Sequence, residues 1–254
     1  MALCACPLDG KPKASDAPPP EPFGSGQFQQ RYFGELIFSS LLPLHCSFIY
    51  YHLFYIKLNM RDLDKKFLRK ALRQRRRSLS IAEQEQTARA VAQTVRNQDA
   101  FTVGEHVALY MATDGEVSTL ALLDDLIQQG KSCYLPVLQE ETTTLQFRQY
   151  LPDSPLVTNI YGLLEPDTDA TVIEPRQLDN VFLPLVGFDD QGNRLGMGKG
   201  YYDRSFAFIR KESAEKPVLI GLAHESQKVE DLEASDWDVP LGGIITGQHM
   251  YLTG

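Results

Sequence analysis

The residues best suited to chemistry lie together at Asp189-Asp-Gln-Gly-Asn-Arg-Leu-Gly-Met-Gly-Lys-Gly-Tyr-Tyr-Asp203. Glycines at 196, 198 and 200 carry no side chain to hold a ligand away. Their alternation lets backbone amides turn toward one anion. Arg194 and Lys199 add positive charge from the two ends of the loop, and a helix predicted just behind it adds the partial charge of its N-terminus. Asp203 is placed to hold a magnesium ion against phosphate oxygens. These residue types point to a phosphorylated ligand. The loop is not a Walker A, because Asn193 stands where its first Gly belongs and Gly200 replaces the Ser or Thr. Nor is Gly-x-Gly-x-Gly the dinucleotide fingerprint. The plainer reading, a glycine-rich turn with solvated charges, must explain five useful residues in one place.

A second cationic element lies upstream. Residues 61–77 hold nine Lys or Arg against Asp62 and Asp64, a net of +7, while residues 1–59 are neutral. Residues 78–254 carry 12 basic and 27 acidic side chains, so the whole chain comes to −8. One short basic element thus sits on an acidic body, which argues against a dedicated DNA binder. Lys65, Arg69, Arg73 and Arg76 or Arg77 recur at helical spacing, with Leu63, Phe67, Ala71, Leu68 and Leu72 as an apolar stripe. Most of these charges read as a solvated helix face, and one or two near an end as a grip on phosphates or carboxylates. No aromatic interleaving or RNA-module motif supports RNA binding.

The elements that must position these groups alternate in type. Ser80 and Glu83 form a capping box, and the helix behind it shows Ala88, Val91, Ala92 and Val95 on one face. His106–Met111 reads as a buried strand. A helix follows from Ser118 or Thr119 to Gln129 and stops at Gly130. Strands are expected at 132–135, 145–150, 180–187, 217–223 and 243–246, and one helix at about 202–211. This order predicts an α/β fold: a single three-layer domain around a mainly parallel sheet, over residues 60–254.

Residues 1–59 read differently, as an irregular N-terminal extension outside the folded core. They contain Cys4, Cys6, Cys46 and the run Pro18-Pro19-Pro20-Glu21-Pro22. Residues 36–56 carry no charge and are long enough to span a bilayer, but Pro43, His45 and His52 interrupt them. Met60 opens the patterned sequence and is read as the working start, with residues 1–59 a read-through or dispensable extension. The body keeps one cysteine, Cys133, read as core packing, so no disulfide framework is expected and the compartment is a reducing cytoplasm.

Arg194-Leu-Gly-Met-Gly-Lys-Gly-Tyr-Tyr-Asp203 resembles the signature loop of the 5-formyltetrahydrofolate cyclo-ligase family, the methenyltetrahydrofolate synthetases. Lys65-x-x-x-Arg69 and the Arg-rich stretch to Ser80 resemble its opening helix. Asp114-Gly-Glu116-Val-Ser-Thr119 resembles its folate-contacting turn, and Asp236-Trp-Asp-Val-Pro240 its acidic closing segment. The likeness runs from about Lys65 to about Thr246, in the expected order.

The resemblance implies an ATP- and Mg2+-dependent closure of 5-formyltetrahydrofolate to 5,10-methenyltetrahydrofolate, with release of ADP and phosphate. The formyl oxygen is a poor leaving group until the γ-phosphoryl group is transferred to it. The neighbouring ring-closing nitrogen then attacks and phosphate departs. Such a transfer needs positioning and charge neutralisation more than a protein nucleophile. By the same resemblance, Lys65 and Arg69 clamp phosphates, and Arg194 with Gly196, Met197, Gly198, Lys199, Gly200, Tyr201 and Tyr202 binds ATP. Arg194, Lys199 and Tyr202 serve the transfer. Asp203 and Asp236 hold the metal, Glu116 and Tyr110 meet the folate, and Tyr201 or Tyr202 packs on substrate or nucleotide. Trp237 reads as ordinary packing and His224 as structural. The expected partners are ATP and folate, whose polyglutamate tail would suit the basic helix. A cytoplasmic monomer is expected, without nucleic-acid or membrane partners. Two other classes stay open: an isomerase or acyl-CoA transferase-like enzyme that consumes no ATP, and a non-enzymatic nucleotide or RNA binder.

Overall fold

The computed structural model describes residues 64–98, 101, 104–139, 142–153, 155–212 and 214–253, all within the unit Leu53–Gly254. The predicted extension 1–59, its uncharged stretch, Met60 and Leu63 lie outside the described residues.

The chain runs through helix α1 (64–77), α2 (Ile81–Arg96), strand β1 (His106–Ala108), α3 (Leu120–Gln128), β2 (Ser132–Leu138) and β3 (Leu145–Tyr150). A small hairpin, β4 (Leu156–Thr158) and β5 (Leu164–Pro166), precedes β6 (Val172–Ile173) and β7 (Asn180–Pro184). A second hairpin, β8 (Gly187–Phe188) and β9 (Arg194–Leu195), leads into α4 (Tyr201–Ser205) and α5 (Ala207–Glu212). Strands β10 (Val218–Leu222), β11 (Gly243–Ile245) and β12 (Met250–Leu252) complete the order.

Eight strands form one sheet in the order β12-β11-β10-β7-β1-β2-β3-β6. The five from β11 to β2 are parallel, and β12, β3 and β6 join antiparallel. Side chains alternate across its two faces, as a strand's period of two requires. Val107, Leu109, Cys133, Leu135, Phe182 and Ile220 pack with Val91, Val95, Leu122 and Leu126 of α2 and α3. Ala108, Tyr134, Val181, Leu183 and Leu219 pack with Phe206 and partly buried Phe208 on the opposite face. The three predicted layers are therefore present. Cys133 is buried and its thiol is pushed up to about 12 by burial, which suits packing and not nucleophilic attack.

The caps agree with the sequence. Ser80 Oγ accepts from Glu83 N and Glu83 Oε2 accepts from Ser80 N, which closes the box. Gly130, at φ 78°, follows the end of α3. Three expectations need correction. The helix expected over 202–211 is broken at Phe206, because that ring is fully buried in the core while Ser205 Oγ donates to Tyr201 O and accepts from Leu145 N. The apolar stripe of α1 is narrower than predicted. Leu72 is buried and Leu68 partly so against Val186, Leu195 and Leu232, whereas Phe67 is 69% exposed and Ala71 faces solvent. Finally, the strand expected over 106–111 ends at Ala108, where the chain turns toward the site.

Gly187 explains how α1 docks. A Cβ there would lie 2.5 Å from Leu72 Cδ1, so the absence of a side chain admits the helix to the β8–β9 hairpin.

Candidate functional site

Three adjacent parallel strands, β1, β7 and β10, release their chains at the same carboxyl edge, the usual ligand crevice of an open α/β sheet. After β7 comes the hairpin that carries the glycine loop. Asp189, fully buried, pins its turn: Oδ1 accepts from Gln191 N and Asn193 N, and Oδ2 accepts from Asn193 Nδ2 and Leu232 N. The carboxylate at the head of the motif is thus scaffolding. Beyond β9 the loop is open, with Gly196, Met197, Gly198 and Lys199 exposed. Gly198 (φ 92°) and Gly200 (φ 65°) hold left-handed conformations natural to glycine. A Cβ on Gly198 would also sit 3.4 Å from the Arg69 guanidinium.

That contact joins α1 to the loop. Arg69 Nε donates to Gly196 O at 2.9 Å, and Lys65 Nζ reaches Ser235 Oγ at 3.2 Å. Arg194, with a side chain only 7% exposed, pairs with Asp203 and also donates to Val239 O. Val239 N donates to Asp203 Oδ1 at 3.2 Å. Helix α1, the glycine loop and the 235–239 turn therefore converge, bringing together Lys65, Arg69, Arg194, Gly196, Gly198 and Asp203. Arg204 ties the loop down from behind, donating to Lys199 O and Thr143 O. One sequence argument fails here. Helix α4 is only five residues long, too short for a strong terminal dipole, so the loop's own amides and the cations supply the positive field.

After β1 comes the second half of the site. Tyr110 lies in the core and its hydroxyl donates to Val117 O, while Thr119 Oγ1 donates to Tyr110 O. Tyr110 thus braces the turn from below, and its hydroxyl does not stand open to a substrate as expected. Asp114 (φ 56°) and Gly115 (φ 76°) turn the chain so that Glu116 folds back and accepts from Thr113 N. The Asp114 carboxylate accepts from Arg73 Nε and Arg76 Nη2, both at 2.8 Å, and from Arg77. Arg76, 1% exposed, also donates to Asp114 O and Leu185 O and lies 3.6 Å from Glu116. His224, released from β10 and buried, meets Gly115 O through Nε2 at 3.1 Å, while its Nδ1 has no partner among the described residues.

Electrostatics follow from this geometry. Burial works to raise the Asp114 carboxyl, but hydrogen bonds from the three arginines outweigh it and hold the group below its ordinary value. Burial dominates at Glu116 and raises its carboxyl, against the Thr113 amide and the Arg76 charge. Tyr202 is raised by burial and then by the Glu116 charge, with Arg194 opposing. In space, Tyr202 is the second residue of α4 and stacks on Phe206. Burial lowers His224 and keeps it neutral.

Sequence reasoning missed Arg76 and Asp189 as parts of this framework and gave Asp114 only as a member of its turn, while His224, read as structural, is buried against Gly115 O. Arg76 had a readable signal, since it follows Leu68 and Leu72 at helical spacing and so shares their buried face. Asp236 is exposed in a turn, without a hydrogen bond among the described residues, and Trp237 beside it is 67% exposed instead of packed. No group of three His, Cys, Asp or Glu suited to a metal exists among the described residues. None of their helices is long and apolar enough to cross a membrane.

A three-layer α/β fold with a cation-flanked glycine loop and a half-buried carboxylate at the carboxyl edge of its parallel strands is that of an open-sheet α/β protein with its ligand crevice at that edge. The 5-formyltetrahydrofolate cyclo-ligase family profile matches residues 61–247. The 5-formyltetrahydrofolate cyclo-ligase of Haemophilus influenzae is 40% identical over 190 residues, covering 74% of this chain and 100% of that protein. That of Escherichia coli K12 is 37% identical over 177 residues, 69% of this chain and 96% of its own length. Among solved structures, the 5,10-methenyltetrahydrofolate synthetase of Aquifex aeolicus superposes with a TM-score of 0.64 at 28% identity, covering 74% of this chain and 92% of the other. The synthetase of Mycoplasma pneumoniae gives 0.59 at 28%, covering 73% and 99%. The chain belongs to the 5-formyltetrahydrofolate cyclo-ligase family.

Proposed function

We propose that this chain is a 5-formyltetrahydrofolate cyclo-ligase that uses ATP to close 5-formyltetrahydrofolate to 5,10-methenyltetrahydrofolate, releasing ADP and phosphate. The observation that carries this reading is the meeting, at one sheet edge, of the Arg69- and Arg194-flanked glycine loop with the half-buried Glu116 turn, joined by α1 through Arg69 and Arg76. A phosphoryl donor and a pterin-bearing acceptor need such neighbours.

The γ-phosphoryl group moves to the formyl oxygen: a P–O bond to that oxygen forms, and the bond to ADP breaks. The secondary amine that closes the new ring then attacks the activated carbon and gives up its proton, and phosphate leaves with the former formyl oxygen. Lys65, Arg69, Arg194 and Lys199 neutralise charge on the transferred group, and the amides from Gly196 to Tyr202 orient it. Glu116 accepts paired hydrogen bonds from the amino-pyrimidine edge of the pterin. Its burial behind Arg76 keeps water from competing.

Mg2+ normally takes one or two carboxylates and completes its shell with phosphate oxygens and water. Asp203 fits that limited demand: Oδ1 is held by Arg194 and Val239, and Oδ2 makes no hydrogen bond among the described residues. Asp236 would be the second carboxylate. A bound ion supplies charge neutralisation on the phosphates. The cationic groove of about 450 Å³ lined by Lys66, Arg69, Lys70 and Arg73 suits the carboxylates of a polyglutamyl tail. Residues 1–59 are dispensable for the activity, and the enzyme works as a cytoplasmic monomer.

The test is to mix the full chain with 5-formyltetrahydrofolate, Mg2+ and ATP, following near-ultraviolet absorbance of the methenyl product. Growth that requires both ATP and metal is expected. Product formed equally well without ATP would overturn the reading. A chain of residues 60–254 should turn over at the same rate, and loss of activity from that folded form would assign the extension a role.

A further inference from the structure

Tyr201 and Tyr202, expected to pack on substrate or nucleotide, are half-buried and leave no open ring face for the base of a nucleotide. Beside the glycine loop, however, a cavity of about 380 Å³ is lined by Gly198, Lys199, Gly200, Arg210, Lys211 and Trp237, among others. Trp237 is the single tryptophan of the chain and stands 67% exposed. An indole left in water gains nothing from the core, and its flat apolar face is available to another ring.

The segment that carries it is not a loose tip. Asp238 N donates to Ser235 O and Ser235 N to Asp238 Oδ2, closing a turn with Trp237 inside it. Lys65 holds Ser235 from one side, and Arg194 and Asp203 hold Val239 from the other. The groups that flank the phosphate loop therefore also fix the indole beside it. The remaining wall is mostly cationic, with Lys199, Arg204, Arg210 and Lys211 beside Ala207 and one carboxylate, Asp203, which Arg194 pairs; Lys199 and Arg210 make no ion pair among the described residues. A ligand for this cavity joins a flat aromatic ring to several negative charges.

A nucleoside triphosphate and a folate with its glutamate tail both meet that description. The positions favour the nucleotide: the cavity is walled by the phosphate-loop glycines themselves and does not include Glu116 or Tyr110 of the other half. We propose that Trp237 is the base platform of the nucleotide site, with the heteroaromatic base of the triphosphate stacked on the indole. The phosphates run back to the Gly198–Gly200 backbone and Lys199. A face-on platform reads stacking area, so purines outrank pyrimidines. This inference rests on the ATP-dependent reading above.

With one tryptophan in the chain, indole emission reports on this turn alone. The full chain is titrated with ATP and, separately, with inorganic tripolyphosphate, and both are assayed in cyclisation. ATP should change the emission saturably, with a midpoint matching its KM. Tripolyphosphate should compete with ATP in turnover without that change. Trp237→Ala should raise the KM for ATP roughly 5- to 100-fold, as base–aromatic stacking predicts. The KM for folate and the inhibition constant of tripolyphosphate should hold. Trp237→Phe, which keeps a ring, should recover most of the ATP affinity.

Turnover with ATP at unchanged emission, together with an unaltered KM in Trp237→Ala, would overturn the platform and leave the cyclo-ligase reading standing. A Trp237→Ala effect on folate instead of ATP would assign the cavity to the folate tail and overturn it equally. If no cyclisation is found, that reading fails, and the ATP and tripolyphosphate titrations decide the platform alone.

Discussion

Asp114 sits where charge, backbone strain and connection meet. It adopts a positive φ uncommon for a residue with a side chain, and its carboxylate draws in three arginines of α1. Asp114→Asn keeps the size and tolerates the backbone but removes the charge, leaving buried Arg76 with weaker partners. A loss of about 2 kcal/mol at pH 7 is expected. Because the folded carboxyl is held below its ordinary value, its contribution is present above the unfolded pKa and is lost as pH falls through the folded one. Denaturation at a series of pH values should show the gap between wild type and variant closing below about pH 4. A gap constant down to pH 3 would refute the assignment. Glu116 has the opposite sign. Its raised carboxyl gives a contribution complete below the unfolded pKa and lost as pH rises through the folded one. Glu116→Gln should therefore melt no lower than wild type at pH 7 while its KM for folate rises about 100-fold, the loss of a charge-assisted pair. A variant that melts much lower would mark Glu116 as a structural acid. Such groups differ in how far the sequence exposes them. Gly196, Gly198, Gly200, Arg194 and Asp203 are legible because their meaning lies in spacing within ten residues. Asp114 and Arg76 are 38 residues apart, and no local pattern links them.

Among the elements, α1 has the widest reach. It touches the glycine loop through Arg69, the 235–239 turn through Lys65, and the 114–116 turn through Arg73, Arg76 and Arg77. Its seat depends on the space left at Gly187 for Leu72. Gly187→Ala should cost about 1–3 kcal/mol by overpacking and displace α1, raising the KM for both substrates together. A change in only one KM would show that α1 does not couple the two halves, and steady-state kinetics checks this directly. The sequence made α2 visible because period and caps agree there, α3 by its period and the stop at Gly130, and α1 by the spacing of its charges with Leu68 and Leu72, though Phe67 and Ala71 face solvent. It hid the break at Phe206, where burial of a ring against Phe147 and Tyr202 overrides a continuous helical pattern. The β4–β5 and β8–β9 hairpins were likewise unread. Strands of two or three residues are too short for alternation to declare itself.

At the scale of the whole molecule, a strongly cationic helix is set on a body carrying a net −15 over residues 78–254. The two fields oppose each other for an anion, and the cations of α1 and the glycine loop, nearest the bound phosphates, dominate the interaction that salt screens. Close contacts at Arg69 and Lys65 remain, but attraction into the site weakens. Raising NaCl from about 0.05 to about 0.5 M should lift the KM for ATP roughly 3- to 10-fold with little effect on kcat. A KM indifferent to salt would locate the binding energy in stacking and neutral hydrogen bonds. The topology carries a further consequence. Since β1, β7 and β10 are separated in sequence yet adjacent in the sheet, the crevice does not exist until those crossovers have closed. Turnover regained during renaturation is therefore a clock on the last stage of sheet assembly. It should start only after the helical signal has returned, since α2 and α3 depend on near neighbours and the crevice on distant ones.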